Sequence, residues 1–170
     1  CLLIVEAKAR EKGVQVESHV MPNLPDLMAD PLRLKQILIN LLSNAAKFTK
    51  QGTVKIAVRR AMTGETKDTG VVTFAVSDSG IGMSEEQMSR LFQAFTQADA
   101  TTTRNYGGTG LGLTITRHFC TMLGGSIDVT SKAGEGSVFT ITLPDGGRRE
   151  HVALPAAEAP RSSGAVTGTT

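Results

Sequence analysis

Two hydrophobic periods interleave along this chain, and their order predicts an α+β fold, a two-layer sandwich of sheet and packed helices. Residues 53–60 and 71–77 alternate apolar and polar on either side of a polar loop holding Gly64 and Gly70, the pattern of an antiparallel hairpin. Residues 31–48 instead repeat their apolar side chains at helical spacing. Hairpins mixed with amphipathic helices exclude an all-α bundle and an all-β sandwich.

The elements follow in order. Residues 2–12 have helical spacing and run into Gly13, which suits a C-terminal cap. Residues 14–20, Val-Gln-Val-Glu-Ser-His-Val, alternate, so a strand with one buried face is expected. Pro22 and Pro25 punctuate the next turn. Asp30 can accept from the first free N–H groups of a helix, and Pro31 fits its first turn; that helix runs to Phe48, with Gly52 just beyond. Ser84-Glu85-Glu86-Gln87 opens a short helix with a serine cap and early acidic residues. From 93 to 110 no period survives, and so long a polar stretch inside a compact domain reads as a functional loop. A helix over 111–123 stops at Gly124 and Gly125, and strands at 126–131 and 137–143 close the domain around Lys132-Ala133-Gly134-Glu135-Gly136.

The 170 residues suit one domain with a real core, and 40% hydrophobic with 20% charged residues is an ordinary globular composition. A net charge of +2 is too small to make nucleic acid or an anionic membrane the main partner. No apolar run approaches the length of a membrane span. Cys1 and Cys120 have no ligand-like spacing and read as reduced thiols in a cytoplasmic compartment. The start at Cys1, inside a helical pattern and without Met, and a closing stretch rich in Ala, Pro, Gly, Ser and Thr suggest part of a longer protein. The expected organisation is a folded unit over 1–145 and a tail or linker over 146–170.

Three elements point to a ligand. The densest is Gly107-Gly108-Thr109-Gly110-Leu111-Gly112-Leu113, a glycine run opening into a helix, whose free N–H groups and positive dipole end suit phosphate. On helix 31–48, Leu34, Ile37, Leu38, Leu41, Ala45 and Phe48 form an apolar stripe, while Gln36, Asn40, Ser43, Asn44 and Lys47 cluster opposite. Asn and Ser are mediocre helix formers for a merely solvated face. An amide–amide–lysine row suits Mg²⁺ through the Asn44 oxygen and phosphate through Lys47, although the helix alone fits an exposed polar face equally well. Asp78 continues a strand whose Val72, Phe74 and Val76 share one face, so its carboxylate should point inward and need a donor. The amino group of adenine would serve, with Gly80 and Gly82 letting the ring approach the backbone. Taken alone, Asp-Ser-Gly is more often an Asx turn.

Together these residues resemble a family. Asp30-Pro31-Leu32-Arg33-Leu34-Lys35-Gln36-Ile37-Leu38-Ile39-Asn40-Leu41-Leu42-Ser43-Asn44-Ala45-Ala46-Lys47-Phe48-Thr49 closely resembles the asparagine box of sensor histidine kinases. Asp78-Ser79-Gly80-Ile81-Gly82-Met83 is similar to their first glycine box, and Leu91-Phe92-Gln93-Ala94-Phe95-Thr96-Gln97 to their phenylalanine box. Gly108-Thr109-Gly110-Leu111-Gly112-Leu113 resembles the second glycine box, and Gly134-Glu135-Gly136-Ser137-Val138-Phe139 the closing glycine segment. The boxes stand in family order over residues 1–144.

The resemblance implies a Bergerat-type ATP-binding fold, with a mixed, mostly antiparallel sheet layered against helices, and a protein-histidine kinase catalytic domain using ATP and Mg²⁺. It places Asn44 on the metal, Lys47 on phosphate, Asp78 on the adenine amino group, Asn40 near the phosphates and Phe48 near the base. Gly80, Ile81 and Gly82 would line the base, and Gly108, Thr109, Gly110, Leu111, Gly112 and Leu113 the phosphates. Residues 92–110 become a lid, in which Thr102-Thr103-Arg104-Asn105-Tyr106 matches a pattern of hybrid kinases and Arg104 can reach phosphate, a partner domain or solvent. His19, His118 and His151 lack the acidic follower of the family's acceptor histidine, so the acceptor is expected on an upstream dimerisation domain. Implied partners are that domain, a response regulator receiver and a second copy in the full-length homodimer, with no nucleic acid. The implied location is cytoplasmic, with inner-membrane anchoring of the parent left open. Relatives that hydrolyse ATP carry Glu where Asn40 stands, and an amide cannot take a proton at neutral pH. A degenerate, partner-binding domain is the third alternative.

Overall fold

The computed structural model describes residues 2–62, 70–93 and 111–146. In chain order these form α1 (Leu2–Arg10), β1 (Val14–Val20), α2 (Pro31–Phe48), β2 (Gly52–Met62), β3 (Gly70–Asp78), α3 (Glu85–Arg90), α4 (Gly112–Met122), β4 (Ser126–Lys132) and β5 (Gly136–Pro144). The strands make one five-stranded mixed sheet in the order β1-β2-β3-β5-β4. β1 runs parallel to β2, and β2–β3, β3–β5 and β4–β5 are antiparallel. The α+β two-layer expectation holds, and the hairpin expected over 53–60 and 71–77 forms over 52–62 and 70–78.

Alternation decides which face of the sheet is covered. Val54, Ile56 and Val58 on β2, Val72, Phe74 and Val76 on β3, and Phe139, Ile141 and Leu143 on β5 are buried, while the residues between them are half-buried or exposed. On the covered face α2 lies over β2 and β3, α4 over β4 and β5, and α1 beside α2 and β1. Ile37, Leu41 and Leu42 of α2 are at most 1% exposed and centre this core. Each such side chain contributes on the order of 2 kcal/mol.

Local chemistry sets the element ends. Asp30 Oδ1 accepts from the N–H groups of Leu32 (2.8 Å) and Arg33 (3.3 Å), so the N-terminus of α2 is capped as the sequence implies. At its other end the buried Thr49 donates its hydroxyl to the Ala45 carbonyl at 2.8 Å. Ser84 and Gln87 exchange hydrogen bonds with each other's backbone N–H, a complete capping box on α3. Where the sheet ends, Asp145 holds the loop end of the β2–β3 hairpin: it receives Arg60 Nη2 at 2.6 Å, Arg60 Nε at 2.8 Å and the Gly70 N–H at 3.1 Å.

Three expectations shift. The first helix ends at Arg10, and residues 11–13 form a turn with Gly13 at φ +71°. The buried face of β1 fades from Val14 at 5% exposed to Val20 at 61%, because β1 is an edge strand that α1 covers at one end. The buried stripe of α2 also takes in Leu42 and Ala46, while Leu34, Leu38 and Phe48 are half-buried, because α1 flanks the helix as well as the sheet. The region 93–110 beyond its first residue, the 63–69 loop and the tail from 147 lie outside the described residues.

Candidate functional site

The sequence-predicted residues converge on α2. Near its middle, Asn40 Nδ2 donates to Thr116 Oγ1 of α4 at 2.8 Å. The first residue of α4, Gly112, packs so closely that a Cβ there would come within 2.8 Å of Asn40 Oδ1. At its C-terminus the Phe48 carbonyl accepts from the Ile81 N–H at 3.3 Å, and a Cβ on Gly80 would press on that carbonyl at 2.5 Å. One helix therefore touches the end of the second glycine element at Asn40 and the Asp78 turn at Phe48. At 1.5 Å rise per residue these contacts stand roughly 12 Å apart. Asn44 and Lys47 lie between them on the same face.

Asn44 is half-buried, and among the described residues its side chain makes no hydrogen bond. Its neutral oxygen can ligate a hard cation without the cost of burying a charge. Lys47 is half-buried, with its ammonium 5.0 Å from the centroid of the Phe48 ring. Desolvation, and then the charge of Lys12, holds its pKa below the ordinary lysine value. An anion beside it would favour the charged form and so oppose both effects.

Asp78 stands at the end of β3 on the same face as Val72, Phe74 and Val76, as the alternation requires, and is half-buried. Its Oδ1 accepts from the Gly80 N–H at 2.8 Å, so the Asx turn forms and the carboxylate is also directed inward. Desolvation pushes its pKa up, while the backbone N–H groups of Gly80 and Ser137 pull it back in part. A half-buried carboxylate whose donors are backbone N–H groups retains acceptor capacity for a ligand amino group.

The turn after Asp78 is held from behind. A Cβ on Gly82, at φ +62°, would collide with the Lys132 carbonyl, and the Gly134 N–H donates to the Ile81 carbonyl at 2.7 Å. Ser131 Oγ accepts from the Met83 N–H at 2.8 Å, donates to the Gly136 carbonyl at 2.8 Å and lies 3.0 Å from Ser137 Oγ. Ile81 remains 45% exposed on the other side of the turn.

At the start of α4 the N-cap residue, Leu111, makes no side-chain cap hydrogen bond. Leu111 and Gly112 are half-buried, and Leu113 packs against the core. Arg104, Gly108, Thr109 and Gly110 lie outside the described residues, as does the proposed lid apart from Phe92 and Gln93. Phe92 is tied to α4: its carbonyl accepts from Thr114 Oγ1 at 3.4 Å, and Arg117 stands 5.6 Å from its ring centroid.

Sequence reasoning missed Thr116 and Ser131. Thr116 stands at helical spacing between Leu113 and Cys120, a polar residue on the apolar side of α4, and that was a legible signal. Ser131 gave none, because Met83 is far from it in sequence and its contacts with Gly136 and Ser137 follow from the β4–β5 register. His19 lies on the edge strand beside Glu17, His118 is exposed on α4, and His151 is outside the described residues. Cys120 is buried and its thiol is pushed up to about 11, an inert thiol. Among the described residues no three His, Cys, Asp or Glu side chains gather into a metal site, and no helix is long and apolar enough to cross a membrane.

The family model described as histidine kinase-, DNA gyrase B-, and HSP90-like ATPase matches residues 29–147. The chain belongs to that family. Within it, the resemblance is to sensor histidine kinases: the sensor histidine kinase GacS of Pseudomonas protegens is 46% identical over 144 residues, which is 84% of this chain and 15% of GacS. Full-length ShkA, solved in complex with AMPPNP, superposes with a TM-score of 0.70 at 34% identity over 83% of this chain and 27% of ShkA. The catalytic domain of the histidine kinase ThkA, nucleotide-free, gives a TM-score of 0.65 at 28% identity over 84% of this chain and 88% of that domain. The chain thus has the fold of a histidine kinase catalytic ATP-binding domain. It spans 15% or less of the length of the first curated relatives it matches, GacS and the hybrid signal transduction histidine kinase B of Dictyostelium discoideum.

Proposed function

We propose that this domain binds Mg-ATP along α2 and donates the γ-phosphate to a histidine on a separate phosphoacceptor domain. The observation that carries the reading is the span of α2, which meets the start of α4 at Asn40 and the Asp78 turn at Phe48, with Asn44 and Lys47 between. Asp78 would accept from the adenine amino group, with Phe48, Gly80, Ile81 and Gly82 around the base. Lys47, Asn40 and the second glycine element (Gly108, Thr109, Gly110, Leu111, Gly112 and Leu113) would meet the phosphates, and Arg104 would act from the lid. Asn44 would hold Mg²⁺ together with phosphate oxygens, and the metal when bound neutralises charge on the transferring phosphoryl group.

Position 40 separates transfer from hydrolysis. An ATPase needs a base there to take a proton from water, and Asn40 is an amide whose N–H donates to Thr116. The exposed His19 and His118 lie on β1 and α4, and neither has the acidic follower of the family's acceptor histidine. The acceptor is therefore assigned to another domain, which would also dimerise the full-length protein and pass phosphate to a receiver domain. In this reading residues 1–145 are the catalytic unit, 146–170 a linker or tail, and the compartment the cytoplasm, without nucleic acid as a partner.

The test is to offer the domain, loaded with γ-labelled Mg-ATP, to a separately made acceptor domain of a related kinase with its histidine intact. Label on the acceptor histidine is the expected result. Steady phosphate release with no label transferred would overturn the reading in favour of an ATPase, and no ATP binding would reduce the domain to a scaffold.

A further inference from the structure

We infer that Ser131 is a positioning residue for base recognition, its hydroxyl pinning the Asp78–Met83 turn to the β4–β5 hairpin. The inference rests on the base-site reading of Asp78 given above. A serine hydroxyl offers one donor and two lone pairs. Here the proton goes to the Gly136 carbonyl, and the lone pairs face the Met83 N–H and the Ser137 hydroxyl. The full capacity of the side chain is used.

These partners bracket the turn. Met83 is its exit, and Ser137 pairs across the sheet with Asp78 on one side and Ser131 on the other. The Ser137 N–H is also a donor to the Asp78 carboxylate. The path Asp78–Ser137–Ser131–Met83 therefore closes the turn into a ring from behind, while Ile81 and the carboxylate stay open in front. Gly136 permits the closure, since a Cβ there would collide with the Asp78 carbonyl. Removing the hydroxyl frees the Met83 N–H and one edge of Ser137, so the turn loses its fixed exit and the carboxylate its fixed aim. A misaimed carboxylate costs adenine its amino partner. It costs guanine nothing, because guanine presents a carbonyl at the same ring position.

The experiment measures dissociation constants of Mg-ATP, Mg-GTP and inorganic tripolyphosphate for the parent, Ser131→Ala, Ser131→Thr and Asp78→Asn, below each protein's melting temperature. The parent should prefer ATP. Ser131→Ala should bind ATP about tenfold more weakly, with GTP and tripolyphosphate unchanged, the scale of one net hydrogen bond. Ser131→Thr, which keeps the hydroxyl, should restore the preference. If Ser131→Ala does not fold, Ser131→Cys carries the same test with a weaker hydrogen-bonding group of similar size. Parental preference in the folded variant, or equal losses for all three ligands, would overturn the role of Ser131 alone. A parent without preference, or an Asp78→Asn variant that keeps it, would remove the base-site reading and this inference with it.

Discussion

The two ends of α2 are built differently. At Phe48 the Asp78 turn is held by backbone bonds from Ile81 to the Phe48 carbonyl and from Gly134 to the Ile81 carbonyl, by glycines where a Cβ would not fit, and by the Ser131 hydroxyl between Met83 and Gly136. At Asn40 the link to α4 is a side-chain hydrogen bond to Thr116 and the close approach of Gly112. Asn44 and Lys47 project from the helix between them. The end proposed for the base is thus held mainly by backbone and glycine packing, with the Ser131 hydroxyl tying its exit, while the end proposed for the phosphates depends on individual side chains. Damage to the backbone packing of the first should show in folding, damage to single side chains of the second in binding.

The largest effect should come from Gly136→Ala. The residue sits at φ +111°, and a Cβ would strike the Asp78 carbonyl, so strain and overpacking combine. We expect a loss of about 3 kcal/mol and a Tm lower by roughly 10 °C, read by thermal denaturation. A variant melting within about 2 °C of the parent would show that the base end is not over-determined.

Asn44→Ala should do the reverse. Its half-buried amide has no internal hydrogen bond among the described residues, so the Tm should stay near the parental value. Mg-ATP affinity should fall on the order of 100-fold, the scale of losing an interaction with a charged group. Calorimetric titration with and without Mg²⁺ measures it. Near-parental affinity would remove the residue from the metal site.

Asp78→Asn tests whether the base end gives up stability for recognition. Burial raises the carboxyl's pKa above its ordinary value, so the folded state binds the proton more tightly than the unfolded chain. The charged form is then a destabilising contribution, absent below the unfolded pKa and present once pH rises through the folded one. The amide removes it while its oxygen can still accept from Gly80. We expect a ligand-free Asp78→Asn domain at least as stable as the parent at neutral pH, with the difference closing as acid protonates the parent. Its preference for ATP over GTP should drop about tenfold. A less stable variant at pH 7 would mean that the Gly80 and Ser137 hydrogen bonds outweigh desolvation.

Much of this was legible in the residues. Helix α2 was readable to the residue because Asp30-Pro31 starts it and its apolar period ends at Phe48. Both hairpins were readable because alternation is a local signal, and the inward aim of Asp78 followed from strand parity. The parallel pairing of β1 with β2 was not, since register between distant strands is set by packing. Nor was the ring through Ser131, whose partners at 83, 136 and 137 meet in the folded sheet. The rule that failed, one buried stripe per helix, failed because α2 has two covered sides.

The smallest effect is the sharpest test of separability. Thr116→Val keeps the shape of a side chain 2% exposed and removes the acceptor of the Asn40 amide. Asn40 is half-buried, so water can replace part of the lost bond, and the expected cost is about 1 kcal/mol of stability. Loosening the contact between α2 and the start of α4 should weaken Mg-ATP and tripolyphosphate alike, by about threefold, because both meet the phosphate end. The ATP-to-GTP ratio should not move, since the Asp78 turn is held by β4 and β5 and not through Asn40. Thr116→Ser should return the affinity. A Thr116→Val domain with altered base preference would mean that α2 transmits strain from Asn40 to Phe48, so that the two ends act as one site with a single set of constraints.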